Sequence, residues 1–147
     1  MEVRRIPMEE LYRLLEEQLR NGSARLPVTG SSMSPTFRGG RDLVRLERRE
    51  QLHRGDVILY RRDSGQYVLH RLLKVGEEIL VCCGDRQVEQ ETIRPHQVLA
   101  VVTAFCRKGV WRDVTDPLYR LYLQFWMILP LRRAVFFLRE MLRRVGI

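Results

Sequence analysis

Cysteine is scarce in this chain and poorly placed for cross-linking. Its 147 residues hold three, the adjacent pair Cys82 and Cys83 and a lone Cys106. That set offers neither a disulfide framework nor the C-x-x-C spacing of a structural zinc site, so reduced thiols in a cytosolic setting are expected. Long apolar runs are missing as well. The N-terminal stretch MEVRRIPMEELYRLLEE has no continuous hydrophobic core, and export through a signal peptide is not expected. The run from Leu118 to Leu131 is interrupted by Arg120 and Gln124, contains Pro130 and ends at Arg132-Arg133. It falls short of the roughly 20 residues that a spanning helix needs. The three histidines, His53, His70 and His96, show no ligand spacing, so neither a metal nor another cofactor is expected. No internal repeat or low-complexity tract is visible.

What is there suits one folded domain with short appendages. The chain is 45% hydrophobic and 30% charged, which excludes a disordered or fibrous protein. Its net charge of +8 points either to an anionic partner or to an arginine-rich solvated surface. Nucleic acid is not the expected partner, and no oligomeric state can be read.

Pro7 followed by Leu11, Leu14, Leu15 and Leu19, with Asn21-Gly22 closing the run, predicts an amphipathic helix within residues 1–25. From residue 26 to 112 the texture changes to short apolar runs broken by Gly, Asp and Arg: LPVTG, DLVRL, DVILY, YVLHRLLKV, EEILVCC and HQVLAVVTAF. These are strands of an antiparallel or mixed β domain. Residues 113–147 form a helical tail that starts at Asp116-Pro117, a capping side chain before a proline at the first helical position. From residue 117 to 147, Arg120, Arg132, Arg133, Arg139, Arg143 and Arg144 face a single acid, Glu140, and mingle with Phe125, Trp126, Phe136 and Phe137. Such a segment either lies in the headgroup region of an anionic membrane or packs as a hairpin on the β domain or on another protein. The fold class is therefore mainly β with helices at both ends.

The most informative stretch runs from Val28 to Thr36, Val-Thr-Gly-Ser-Ser-Met-Ser-Pro-Thr. Small residues let the backbone turn tightly and expose a hydroxyl, and a proline soon after sets the exit of the turn. Taken alone, such a cluster is simply a loop.

In context it resembles the nucleophile box of the signal peptidase I and LexA-like superfamily, in which a serine directly before methionine attacks a peptide carbonyl. The resemblance continues through Arg54-Gly55-Asp56-Val57-Ile58-Leu59-Tyr60, through Val68-Leu69-His70-Arg71-Leu72, and ends at Cys83-Gly84-Asp85. Four boxes in order across roughly residues 26 to 103 make the match specific although each box alone is weak. The resemblance implies a β peptidase fold with Ser32 as nucleophile, Met33 beside it, and His70 where many members carry a lysine base. Histidine there is similar to the endoplasmic-reticulum and archaeal type of signal peptidase.

A serine hydroxyl needs a base within hydrogen-bond reach and donors for the developing oxyanion. Imidazole, with a reference pKa near 6.5, is largely neutral at physiological pH and accepts a proton without being desolvated first. Asp85 is the favoured third member, a carboxylate that holds the imidazole tautomer, with Glu89 and Glu91 as alternatives. Signal peptidases often carry serine two residues before the nucleophile, but Gly30 stands there, as in LexA-like members. The backbone N–H of Ser32 is then the expected oxyanion donor, with Ser31 as a weaker one and Arg71 as support. His53 and His96 lie in polar, turn-like contexts and carry no role.

The function these features imply is a serine endopeptidase that cleaves a signal peptide, a leader or another precursor polypeptide, working on the cytoplasmic side and tethered peripherally by residues 117–147. One alternative is a LexA-like self-cleaving regulator, but the residues ahead of Ser32 are too few for a DNA-binding domain and contain no Ala-Gly bond. Another is a non-catalytic module that binds a partner or a lipid surface through the tail, against which stands the joint presence of Ser32, His70 and Asp85.

Overall fold

A computed structural model describes residues 8–146, with the side chains of Met8 and of residues 129–133 left out. The predicted helix start at Pro7 lies outside the described residues. Helix α1 spans Met8–Arg20 and lays Tyr12, Leu15 and Leu19 on the core, while Leu14 faces solvent at 40% exposure. Tyr12, Leu15 and Leu19 recur at the three-to-four-residue interval that puts side chains on one helix face.

Eight antiparallel strands follow: β1 Ser23–Pro27, β2 Leu43–Glu47, β3 Val57–Arg61, β4 Tyr67–Val75, β5 Leu80–Cys83, β6 Glu91–Ile93, β7 Val98–Arg107 and β8 Val110–Asp113. Their order across the sheet is β1-β2-β7-β3-β4-β5-β6, with β8 also paired to β7. Because β7 holds β2 along one edge, β3 and β8 share its other edge end to end. Five of the six predicted strands lie where expected, whereas the first is displaced: β1 covers Leu26 and Pro27 of the LPVTG run and leaves Val28, Thr29 and Gly30 to the loop; β6 and β8 were not expected, being too short and too polar to show an apolar run.

Successive side chains of a strand point to opposite faces, and the burial follows that rule. Val57 and Leu59 of β3 join one core with Ala100 and Val102 of β7, whereas Ile58, Tyr60 and Val101 join a second. The first core lies between the sheet and the helices and takes in Tyr12, Leu15 and Leu19 from α1 and Tyr119 and Leu123 from α2. The second is enclosed by β3 to β6. Register shifts at Arg45/Leu46, Leu59/Tyr60 and Leu72/Lys74 bend the sheet around it.

Helix α2, Pro117–Trp126, begins as its sequence predicts: the Asp116 carboxylate accepts from the Leu118 N–H at 2.8 Å. It buries Tyr119, Leu123 and Trp126 against the β domain and leaves Leu118, Leu121 and Phe125 exposed. Helix α3, Leu129–Val145, ends at Gly146 in the left-handed conformation. Trp126 meets Phe136 edge to face at 6.0 Å, and beyond that contact Phe137, Leu138, Met141, Leu142 and Val145 lie exposed. Among the described residues, no helix is long and apolar enough to cross a membrane.

A candidate serine and histidine site

Ser32 lies in the long loop between β1 and β2, which the core anchors from below through Met33 and Phe37, 2% and 0% exposed. The Phe37 N–H donates to the Met33 carbonyl at 2.9 Å and Ser34 to Ser31 at 3.1 Å, so the segment turns tightly. The loop's two arms cross where a Cβ on Gly39 would stand 2.2 Å from the Gly30 carbonyl oxygen. Met33 is thus an anchor, and Ser31 is exposed at the tip.

The Ser32 loop is tied to the turn after β5 by its backbone. The Arg86 N–H donates to the Ser32 carbonyl at 2.9 Å, and a Cβ on Gly84 would come within 2.6 Å of that oxygen. Only glycine lets the two segments approach so closely. The Ser32 N–H donates to no acceptor among the described residues, which leaves it open to an oxyanion.

His70 comes from β4, opposite Ile58 of β3, and is 4% exposed. Ser32 and His70 line one cleft of about 330 Å³. Tyr12 and Tyr67, stacked at 3.6 Å, form a wall of it, so α1 helps to shape the site. Burial is the main reason that the imidazole pKa falls to about 4, with Arg62 acting in the same sense and Glu91 and Asp85 against it. The ring is therefore neutral at physiological pH.

The hydrogen bonds around His70 determine its tautomer. The Tyr60 hydroxyl donates to Glu91 Oε2 at 2.6 Å and lies 3.2 Å from His70 Nδ1. Arg62 donates to both oxygens of Glu91, from Nε at 2.8 Å and from Nη2 at 2.9 Å, which holds this carboxyl below its usual range. An ionised carboxylate only accepts, so the single phenolic proton points to Glu91 and the phenol oxygen must accept from Nδ1–H. Nε2 then carries the lone pair, the arrangement a general base requires. Glu91 Oε2 itself stands 4.0 Å from Nδ1.

Asp85 has different partners from those expected of a triad acid. Its side chain and that of Arg71 are both 0% exposed. Arg71 donates from Nε to Oδ1 at 2.8 Å and from Nη2 to Oδ2 at 2.7 Å, and the Thr36 hydroxyl donates to Oδ2 as well. Arg71 spends its remaining donor, Nη1, on the Gly55 carbonyl at 2.8 Å and on the Tyr119 hydroxyl at 3.2 Å. Burial alone would lower the guanidinium pKa, and Asp85 outweighs it and holds it raised. Arg71 is thus a clasp that ties β4 to the turn after β5 and to α2, and with these donors engaged its buried side chain has none left for the cleft. Trp126 adds to the same clasp by donating to the Asp85 carbonyl at 3.0 Å.

Glu89, His53 and His96 are exposed. Sequence reasoning passed over Tyr60, Arg62, Tyr12 and Tyr67, although Tyr60 lies inside one of the motif boxes. It also passed over a trio that could ligate a metal, His70, Cys82 and Glu91, whose ligand atoms lie within 4.8 Å of one another. No protein-family model matches the chain, and no curated protein does either.

Proposed function

We propose that this chain is a serine endopeptidase of the signal peptidase I and LexA-like kind, cleaving a precursor or leader polypeptide through an acyl-enzyme on Ser32. The observation that carries the reading is the meeting in one cleft of Ser32, from a tight loop, and a neutral His70, from β4. His70 Nε2 takes the Ser32 proton as the hydroxyl attacks the peptide carbonyl, and the Ser32 N–H binds the oxyanion. The imidazolium then protonates the leaving amine, and a water activated by the same nitrogen releases the acyl group.

In this reading the acid behind the base is Glu91, acting through Tyr60. The Glu91 charge keeps the phenolic proton on its own side, so the phenol oxygen holds Nδ1–H and steadies the imidazolium. Asp85 acts at one remove, by fixing the turn against which the Ser32 loop rests.

Peripheral attachment to an anionic membrane belongs to the same proposal. It is supported by the exposed stripe Phe137, Leu138, Met141, Leu142 and Val145 on α3, flanked by the exposed Arg139, Arg143 and Arg144.

The test is cleavage of a peptide library by the wild-type chain and by Ser32→Ala and His70→Ala. Each substitution should abolish cleavage while leaving the circular dichroism spectrum unchanged. Full activity in either folded variant would refute the pair. A fragment that forms from the purified wild-type chain on standing, and not from Ser32→Ala, would instead identify a self-cleaving regulator.

A further inference from the structure

His70, Cys82 and Glu91 stand on three successive strands, β4, β5 and β6, with Cys82 the direct cross-strand partner of Glu91. A His70 ring nitrogen, the Cys82 Sγ and a Glu91 carboxylate oxygen lie within 4.8 Å of one another, and Nδ1 is the ring nitrogen found 4.0 Å from Glu91 Oε2. Tetrahedral zinc, with bonds of about 2.0 to 2.3 Å, sets its ligand atoms about 3.3 to 3.8 Å apart. Closing the trio onto an ion therefore takes side-chain shifts of about an ångström. Imidazole, thiolate and carboxylate together suit a borderline-soft cation, whereas magnesium and calcium take oxygen ligands.

The charges agree with that choice. One thiolate and one carboxylate neutralise a divalent ion, and a neutral complex is what a buried position tolerates. His70 and Cys82 are buried, while the Glu91 side chain is 30% exposed and opens the site to solvent. Arg62, which now holds Glu91, is 35% exposed and can turn outward.

We propose that His70 Nδ1, Cys82 Sγ and the Glu91 carboxylate form a zinc-type cation site behind the cleft, and that filling it switches the His70 base off. The switch rests on the reading of His70 as the base. The ion takes the Nδ1 lone pair, so the ring proton moves from Nδ1 to Nε2, and the Cys82 thiol proton leaves to solvent. A water fills the fourth position. With a proton on Nε2 the imidazole has no lone pair to offer Ser32, and Tyr60 loses the donor it held.

The experiment uses the whole chain, first treated with a chelator, with Co2+ as the spectroscopic probe and Zn2+ as competitor. One Co2+ per chain should bind with a thiolate-to-cobalt charge-transfer band, and Zn2+ should displace it. Cys82→Ser should lose the band, Glu91→Gln should weaken binding at least about tenfold, and Cys106→Ser should keep both. Stoichiometric Zn2+ should lower peptide cleavage about a hundredfold or more, the usual contribution of a positioned base. The band persisting in a folded Cys82→Ser variant, or no band at any micromolar Co2+ concentration, would overturn the site. A band with cleavage undiminished or raised by Zn2+ would overturn the switch. A band from a chain whose metal-free form cleaves nothing would overturn the peptidase reading, and the switch with it, while the site stands.

Discussion

Asp85→Asn and Glu91→Gln remove one charge each from two carboxylates near the same histidine, and they should fail in opposite ways. Asp85 and Arg71 are both 0% exposed, so Asp85→Asn leaves a guanidinium in the core without its counter-charge, with neutral acceptors such as the Gly55 carbonyl and the Tyr119 hydroxyl in its place. Breaking one partner of a buried ion pair costs about 3 to 5 kcal/mol. Against a total stability of about 5 to 15 kcal/mol, that is a large fraction. At about 2 to 4 °C per kcal/mol for a chain of this size, Tm should fall by roughly 6 to 20 °C. Glu91 and Arg62 are about a third exposed, and such a pair contributes about 0 to 1 kcal/mol, so Glu91→Gln should leave Tm within a few degrees. Its effect should appear in kcat, lowered about a hundredfold or more with KM little changed, because the charge that fixes the Tyr60 proton is gone. Thermal unfolding followed by circular dichroism and single-peptide kinetics read the two effects separately. If Asp85→Asn folds with wild-type stability yet is inactive, while Glu91→Gln cleaves normally, the acid is Asp85 and the relay through Tyr60 is refuted.

Other outcomes follow from the same geometry. Since burial lowers the His70 pKa from 6.5 to about 4, the acid limb of kcat/KM in chelator-treated protein should lie near pH 4, and a limb near 6.5 would contradict the buried, neutral ring. Because the unfolded chain protonates this histidine first, its contribution to stability is fully present above about pH 6.5 and is lost as pH falls toward 4, which urea titrations at several pH values can follow. Gly84→Ala places a Cβ 2.6 Å from the Ser32 carbonyl oxygen; cleavage should drop more than tenfold in a chain that still folds, and an unaffected rate would show that this approach does not set the nucleophile. Exchanging Phe137, Leu138 and Met141 for serine should abolish co-sedimentation with anionic vesicles while leaving peptide cleavage in solution intact, and equal sedimentation would remove the membrane proposal. Deleting residues 117–147 is a poorer test, because Tyr119, Leu123 and Trp126 are core residues whose loss should unfold the domain.

How the sequence and the structure divide the information is clearest at individual residues. Short continuous apolar runs such as DVILY and HQVLAVVTAF announce strands, and both lie in strands here, buried on both faces. Asp116-Pro117 marks a helix start by local chemistry that needs no distant partner. The amphipathic start of the chain shows in the spacing of its leucines, although Tyr12 rather than Leu14 takes the inward position. β6 and β8 escaped notice because strands of three and four residues, one with a single buried side chain and the other with none, are specified by the neighbours they pair with.

At the site, the order of motifs along the chain was enough to nominate Ser32 and His70, since each sits in a local pattern that exposes or carries its functional atom. Which carboxylate serves which cation was not legible. Asp85 lies in the motif and Glu91 a few residues on, but sheet register decides the pairing: Cys82 opposite Glu91 and Arg71 opposite Cys83 send Glu91 toward Tyr60 and Asp85 toward Arg71. The register shift between Leu72 and Lys74 helps set that alignment, and a shift of one residue turns every following side chain to the other face. The same register assembles the His70, Cys82 and Glu91 trio from a sequence with no ligand spacing. The sequence by itself thus determined the longer strands and the start of α2, and it nominated Ser32 and His70, all of which depend on neighbours along the chain. Only the tertiary structure decided their partners, because cross-strand distances and burial depend on residues that meet through the sheet.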